Sequence, residues 1–173
     1  MIWIIIPAYN EAQNLPTVMQ GIAAALHGLP YKAFIVNDGS HDETLAVANQ
    51  LAQNFPIEVL DHKVNRGVAQ VFRTGIIRAA SIADENDAII IMEGDGTSDP
   101  RLLPKMTHII AQGTDVVIAS RYVKGGRYQG FPFKRMVLSK AANSIFQIFF
   151  PVQNVLDYSI FYRAYRAECL QKA

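Results

Sequence analysis

Two acids one residue apart, Glu93 and Asp95 of the stretch EGDGTSDP, follow directly on the apolar run Ala88–Met92. Acids so spaced just past a buried strand can both turn toward one ligand. Hard oxygen donors around an open position suit Mg²⁺ or Mn²⁺ holding a diphosphate, and Asp95 is the best single metal ligand. A calcium loop of the EF-hand type also begins with alternating acids, but it requires Gly at its sixth position and Glu at its twelfth. Here those positions hold Ser98 and Pro104, which excludes it. The competing reading of the segment is a polar turn in which Asp99 caps a helix opening at Pro100.

A second polar stretch, NDGSHDET, places Asp38 and Gly39 straight after another apolar run. A carboxylate there can accept from an imino or amino group on a base edge; alternatively Asp38 to Ser40 is a turn and Asp42 caps the next helix. Its weight comes from pairing with PAYNE, whose Pro7, Ala8, Tyr9 and Glu11 would line the other side of a nucleoside pocket. The four histidines, His27, His41, His62 and His108, are dispersed without metal-ligand spacing. They are expected at surface or edge positions and in no site.

Such residues need elements to place them. A chain of 173 residues is about one domain, large enough to bury roughly two thirds of its unfolded surface, and one domain over 1–173 is expected. Ile2–Ile6, Ala33–Val36, Ile57–Leu60, Ala88–Met92 and Val116–Ala119 are short and rich in Ile and Val, as buried strands are. Between them, Asn14–His27, Asp42–Asn54, Gly67–Ala83 and Pro100–Ala111 carry apolar residues at helical spacing. The alternation predicts parallel strands joined by right-handed crossovers in an α/β sandwich, whose ligands gather at the carboxyl ends of the strands. PAYNE, NDGSHDET, EGDGTSDP and SRY stand at four of those ends.

Composition bounds the partners. Apolar residues at 50%, charged residues at 18% and a net charge of +1 argue against disorder and against electrostatic capture of nucleic acid. One cysteine, Cys169, excludes an intrachain disulfide framework and points to the cytosol. No apolar run approaches the ~20 residues of a spanning helix, and MIWIIIPAYNE reads as a strand rather than a signal peptide. Gly125–Gly130 reads as a loop. Met136–Phe150, apolar around most of its circumference with Lys134, Arg135 and Lys140 near its start, is predicted as a helix. It is either packed in the core or interfacial, resting peripherally on a membrane or lipid acceptor at the cytoplasmic face.

Six stretches, IIPAYNEAQNLP, IVNDGSHDET, NRGVAQVFRTGI, MEGDGTSDP, ASRYVKGG and DYSIFYRAYR, resemble in order and approximate spacing the motifs of family 2 glycosyltransferases. The chain looks most like their dolichyl-phosphate mannose synthase and polyprenyl-phosphate hexosyltransferase branch. The resemblance implies the GT-A fold, a Rossmann-like three-layer sandwich with a mostly parallel central sheet. It also implies Mg²⁺ or Mn²⁺ as cofactor and a GDP- or UDP-hexose as donor. Carried over, it implies that Pro7, Ala8, Tyr9, Glu11, Asp38, Gly67 and Gly94 hold the nucleotide and that Glu93 and Asp95 hold the metal, with Asp95 proximal. Arg121, Arg135 and Arg163 match arginines brought to phosphate groups, and Asp157 and Ser159 open a sugar- or acceptor-binding motif.

The reaction so implied is an inverting transfer of a hexose, mannose from GDP-mannose being favoured, to a polyprenyl phosphate. A lipid phosphate whose second pKa is about 6 is largely dianionic at neutral pH and needs no general base. Relatives usually continue with further C-terminal helices, for which LQKA leaves little room. Glu93 stands for the usual first Asp, Asn37 where Asp is common, and Thr97 where a metal-contacting Gln occurs. Ile160 stands for a small Gly that β-branching prevents it from imitating at positive φ. The alternatives are a transferase acting on a glycan or protein hydroxyl, with Asp157 as the nearest base, and a non-catalytic nucleotide-sugar-binding domain. A sugar nucleotidyltransferase should carry a Gly-rich signature after the first strand, which PAYNE lacks.

Overall fold

A segment as apolar as IWIIIPA, Ile2–Ala8, can form a stable strand only if both of its faces are covered. The computed structural model, which describes residues 1–123, 143–149, 151–152 and 155–172, places it at the centre of a six-stranded sheet. In chain order the elements are β1 (Ile2–Ala8), α1 (Leu15–Ala25), β2 (Tyr31–Asp38), α2 (Thr44–Leu51), β3 (Ile57–His62), α3 (Val68–Ala80) and β4 (Ala88–Ile91). A 3₁₀ turn (Pro100–Leu102), α4 (Leu103–Ala111), β5 (Val116–Ile118), a helix α5 over 143–149, β6 (Arg163–Arg166) and α6 (Ala167–Gln171) follow. The strand order is β3-β2-β1-β4-β6-β5. β1 pairs in parallel with β2 and β4, and β2 in parallel with β3, so the carboxyl ends of these four strands share one edge of the sheet.

Alternate residues of a strand face opposite ways, and both sets are buried. Trp3, Ile5, Phe34, Val36, Ile89 and Ile91 form one cluster with Val71 and Ala79 of α3 and Ala167 of α6. Ile4, Ile6, Ile35 and Ile90, of the opposite set, are fully buried as well. The layer over that face is made of α1, α2 and α4: α1 packs against both others, α2 lies on β2 and β3, and α4 on β4 and β6. α3 comes so close to β1 that a Cβ on Gly75 would stand 2.4 Å from Ile5 Cγ2.

The strands and helices expected from periodicity are present. One strand was not foreseen. β6, with the sequence RAYR, is antiparallel to β4, with Ile91 opposite Arg163 and Ala88 opposite Arg166. Two arginines hide this strand from an apolar-run count, and its pairing is fixed by a neighbour far away in sequence. Asp99 is the cap expected of it, its side chain accepting from the Arg101 amide.

The chain divides into two compact units, Met1–Val117 with Tyr162–Ala173, and Ile118–Phe161. In the second, Asn143 of α5 is buried; its side-chain amide donates to the Leu156 carbonyl and its side-chain oxygen accepts from the Tyr158 amide. The Phe146 and Tyr158 rings stack at 5.9 Å. The helix predicted over Met136–Phe150 is described only across 143–149. There Ile148 and Phe149 are 73% and 71% exposed, which removes the core-packed reading for this stretch. Gly125–Gly130, Lys134, Arg135 and Lys140 lie outside the described residues. No helix among the described residues is long and apolar enough to cross a membrane.

Candidate functional site

The loops after β1 and β2 are stitched into one platform. Asn10 adopts φ 57°, a left-handed conformation that asparagine tolerates better than most residues. From there its side-chain oxygen accepts from the His41 amide at 2.9 Å, while its own amide donates to Ser40 Oγ at 3.0 Å. The Glu11 amide donates to Thr44 Oγ1 at 2.8 Å and the Ala12 amide to Asp42 Oδ2 at 3.3 Å. Asp42 also accepts from the Thr44 amide and hydroxyl, but the N-cap position of α2 is Glu43, which makes no side-chain cap bond, so the expected Asp42 cap is corrected to a turn one residue ahead of the helix. Tyr9 is 43% exposed and meets the His41 ring edge-on. Thus Tyr9 and Glu11 meet the 38–44 loop, and Pro7 and Ala8 precede them beside Val36 and Asn37.

Asp38 ends β2 and is buried. Its Oδ1 accepts from His62 Nδ1 and the Arg66 amide, and its Oδ2 from the Gly67 amide, each at 2.9 Å. Burial alone would raise its pKa, but the His62 bond, the two amides and the His62 charge together hold it below the usual carboxylate range. The β3–α3 loop also runs directly over Gly39, where a Cβ would stand 2.4 Å from the Asn65 amide nitrogen and where φ is +66°. Glycine alone satisfies both constraints. Next to Asp38, Asn37 donates to Asp61 Oδ1 at 2.7 Å. An aspartate at 37 would set two carboxylates against each other, which accounts for the amide at that position.

His62 meets the expectation of an edge position and is nevertheless buried. It lies on the edge strand β3, but it is only 6% exposed and uses both ring nitrogens, Nε2 being 2.9 Å from Thr74 Oγ1. The strand register places it opposite Asp38, a signal that pairing β2 with β3 on paper would have shown.

After β4 the two acids sit on a tight loop. Gly94 is buried against β1, a Cβ there falling 2.6 Å from the Pro7 carbonyl oxygen. Glu93 is half-buried and accepts from the Ser98 hydroxyl. Asp95 is exposed, and its Oδ1 accepts from the Thr97 amide and hydroxyl at 2.9 and 2.6 Å. Among the described residues no three His, Cys, Asp or Glu side chains are grouped to hold a metal by themselves. Two carboxylates fit an ion that takes one or two protein ligands and completes its shell with water and substrate phosphate. Tyr162 pins the far end of the loop, its buried hydroxyl donating to the Asp99 carbonyl at 3.0 Å. Burial, with Asp99 and Glu93 adding to it, pushes its phenol pKa up, so it stays a neutral donor. Sequence reasoning missed Tyr162, for which no local signal exists. Arg163, opposite Ile91 in the antiparallel register, begins its strand at the same sheet edge as Glu93.

In the second unit Arg121, Asp157 and Ser159 form one cluster. Asp157 is fully buried and accepts from Arg121 Nε at 2.9 Å and Nη2 at 3.2 Å, from the Ser159 amide and hydroxyl, and from the Ile160 amide. Arg121 Nη2 also donates to Ser159 Oγ at 2.9 Å. Burial would raise the Asp157 pKa, but the hydrogen bonds and charge of Arg121 lower it. Ile160 raises no backbone conflict, because among the described residues Asn10 is the one non-glycine at positive φ. Arg135 lies outside the described residues.

A cleft of about 370 Å³ at the amino-terminal edge of the sheet is lined by Leu29, Pro104, His108 and Ile110 among others. It contains none of the motif residues and gathers no charged pair.

A family model described as glycosyl transferase family 2 matches residues 3–173. The chain is 34% identical over 155 residues to a dolichol-phosphate mannosyltransferase of Pyrococcus furiosus, covering 89% of this chain and 43% of the relative. It is 36% identical over 176 residues to a polyprenol monophosphomannose synthase of Mycolicibacterium smegmatis, covering 98% and 63%. The chain therefore spans less than two thirds of the length of either. Among solved structures it resembles a glucosyl-3-phosphoglycerate synthase of Mycobacterium tuberculosis in complex with Mn²⁺, UDP and phosphoglyceric acid, with a TM-score of 0.69 at 17% identity over 97% of this chain and 56% of that one. It also resembles a mannosyltransferase of Pyrobaculum calidifontis in complex with GDP-Man and Mn²⁺, with a TM-score of 0.54 at 18% identity over 66% and 34%. At such identities the likeness is one of fold, and the fold is GT-A.

Proposed function

Because this chain belongs to glycosyl transferase family 2, we propose that it is a metal-dependent, inverting hexosyltransferase that moves mannose from GDP-mannose to a polyprenyl phosphate. The observation that carries the proposal is the gathering of the joined β1 and β2 loops and an exposed carboxylate loop at one sheet edge. Pro7 links them, lying at the end of β1 and under Gly94. The mannosyltransferase relatives support the sugar and the lipid phosphate, and the Mn²⁺-bound neighbours support the metal.

In this reading Pro7, Ala8, Tyr9 and Glu11 line one side of the nucleoside, with Asp38 and Gly67 on the other. A carboxylate offers about four acceptor positions; Asp38 spends three on His62, Arg66 and Gly67, leaving one on Oδ2 for a base edge. Asp95 would be the principal metal ligand, with Glu93 second once it releases Ser98. A divalent cation held there would offset the charge that builds on a departing diphosphate. A phosphate oxygen of the acceptor attacks the anomeric carbon as the bond to the diphosphate oxygen breaks, the electron pair leaves with the diphosphate, and no proton need move. Arg163 serves the phosphate groups, as does Arg135 from the undescribed stretch, since a guanidinium fork matches phosphate oxygens. Arg121 is already matched by Asp157, so that pair, with Ser159, orders the opening of the acceptor motif.

Asp157 also weighs against a hydroxyl acceptor. A buried carboxylate saturated with donors and held ionised is a poor proton acceptor. Exposed Ile145, Ile148, Phe149 and Val152 offer an apolar face on which a polyprenyl chain or the membrane carrying it can rest. Calorimetric titration with GDP and with UDP, each with and without Mn²⁺, tests the donor half. Metal-dependent binding of GDP in preference to UDP is expected, and binding of neither overturns the proposal.

A further inference from the structure

His62 is the only buried histidine of the four, and nothing in the transfer reaction as described uses it. Its surroundings are specific. Asp38 is held ionised and so can only accept; the proton between Asp38 and His62 therefore sits on Nδ1. Nε2 lies 2.9 Å from the Thr74 hydroxyl on α3, which can either donate to it or accept from it. This bridge from β3 to α3 spans the Lys63–Gly67 loop. The side chains of Lys63, Val64, Asn65 and Arg66 are exposed, so the loop has little packing of its own. Its backbone is held by the Asp38 carboxylate, through the Arg66 and Gly67 amides, and by contact with Gly39. The Gly67 amide is additionally shared with Asn65 Oδ1 at 3.1 Å.

We infer that His62 is a positioning residue for the nucleotide site: it fixes the Asp38 carboxylate in the one orientation that latches the Arg66–Gly67 loop and still presents an acceptor to the base. The inference rests on the nucleotide reading above and adds to it a residue that touches no ligand. An unanchored buried carboxylate would rotate or take up a proton; the Arg66 amide would lose its acceptor and the Gly67 amide would keep only Asn65 Oδ1. Loss of one charge-assisted bond of this kind corresponds to roughly 10- to 100-fold in affinity.

The experiment pairs GDP and UDP titrations in Mn²⁺ with amide hydrogen exchange on the wild type, His62→Leu, His62→Asn and Thr74→Val. His62→Leu is expected to weaken nucleotide binding at least about 10-fold and to speed exchange at Arg66 and Gly67, while Ile4 and Ile90 stay protected. His62→Asn, whose amide can replace the Nδ1 donor, is expected to recover most of both. Thr74→Val keeps the volume and removes only the hydroxyl, so it should give a smaller loss in the same direction. It also decides the matter if His62→Leu does not fold. Wild-type affinity in His62→Leu, or in Thr74→Val when that is the only folded variant, overturns the inference alone. So does a loss of protection spread evenly over the sheet. Failure of the wild type to bind either nucleotide instead overturns the donor reading, and this inference with it.

Discussion

Asp95 carries the sharpest residue-level consequence. Its exposed carboxylate already accepts twice on one oxygen from Thr97, so Asp95→Asn leaves the loop near its present shape while removing the charge a cation needs. Metal-dependent nucleotide affinity should fall by at least about 100-fold, as loss of a principal ligand implies, with metal-free affinity unchanged in calorimetry; equal affinity with and without the substitution removes Asp95 from the site. The position of Asp95 was legible in EGDGTSDP because two acids after an apolar run are a local pattern. Its fixing by Thr97 and the pinning of the loop by Tyr162 were not. Tyr162 lies 63 residues from Asp99, and only the fold brings them together. The bonds of His62 were illegible for the same reason: its partners come from 24 residues before and 12 after.

Among elements, α3 shows how packing overrides propensity. Alanine is favoured over glycine by about 1 kcal/mol inside a helix, yet a Cβ on Gly75 would meet Ile5 at 2.4 Å. Overpacking of this kind costs about 1–3 kcal/mol. Gly75→Ala is therefore expected to be net destabilising by up to about 2 kcal/mol in urea denaturation, and a gain in stability would show that α3 can retreat from the sheet. Three residues on in the same helix, Arg78 donates to Glu58 of β3, as does Lys32 of β2. The Arg78 bond first, then that of Lys32, hold the Glu58 pKa at about 2 against its ordinary 4.5. A carboxylate depressed on folding stabilises the native state above its unfolded pKa and loses that contribution as pH falls through the folded one. Glu58→Gln should lower the melting temperature at pH 7, with the gap to wild type closing between pH 4.5 and about 2; a gap independent of pH would contradict the pairing. Strands β1 to β5 and helices α1 to α4 were readable from periodicity. β6 was not, since its identity lies in the register with β4 and not in its own composition.

At the scale of the whole molecule, a net charge of +1 conceals an uneven distribution. Acids stand at the carboxyl edge of the sheet, and an arginine is committed to a buried aspartate in the unit spanning Ile118–Phe161. That unit also exposes Ile145, Phe146, Ile148, Phe149 and Val152, which a count of membrane spans would not register. The chain covers 43% and 63% of the mannosyltransferase relatives it matches, so the transfer is tested on this polypeptide itself. The direct measurement is incubation of the purified protein with labelled GDP-mannose, Mn²⁺ and a polyprenyl phosphate in detergent, followed by extraction of lipid and determination of the anomeric configuration. A mannosyl-phosphoryl lipid with inverted configuration, formed only with the metal, is the expected result. GDP-mannose bound but no lipid product, or mannose delivered to a hydroxyl acceptor instead, would contradict it.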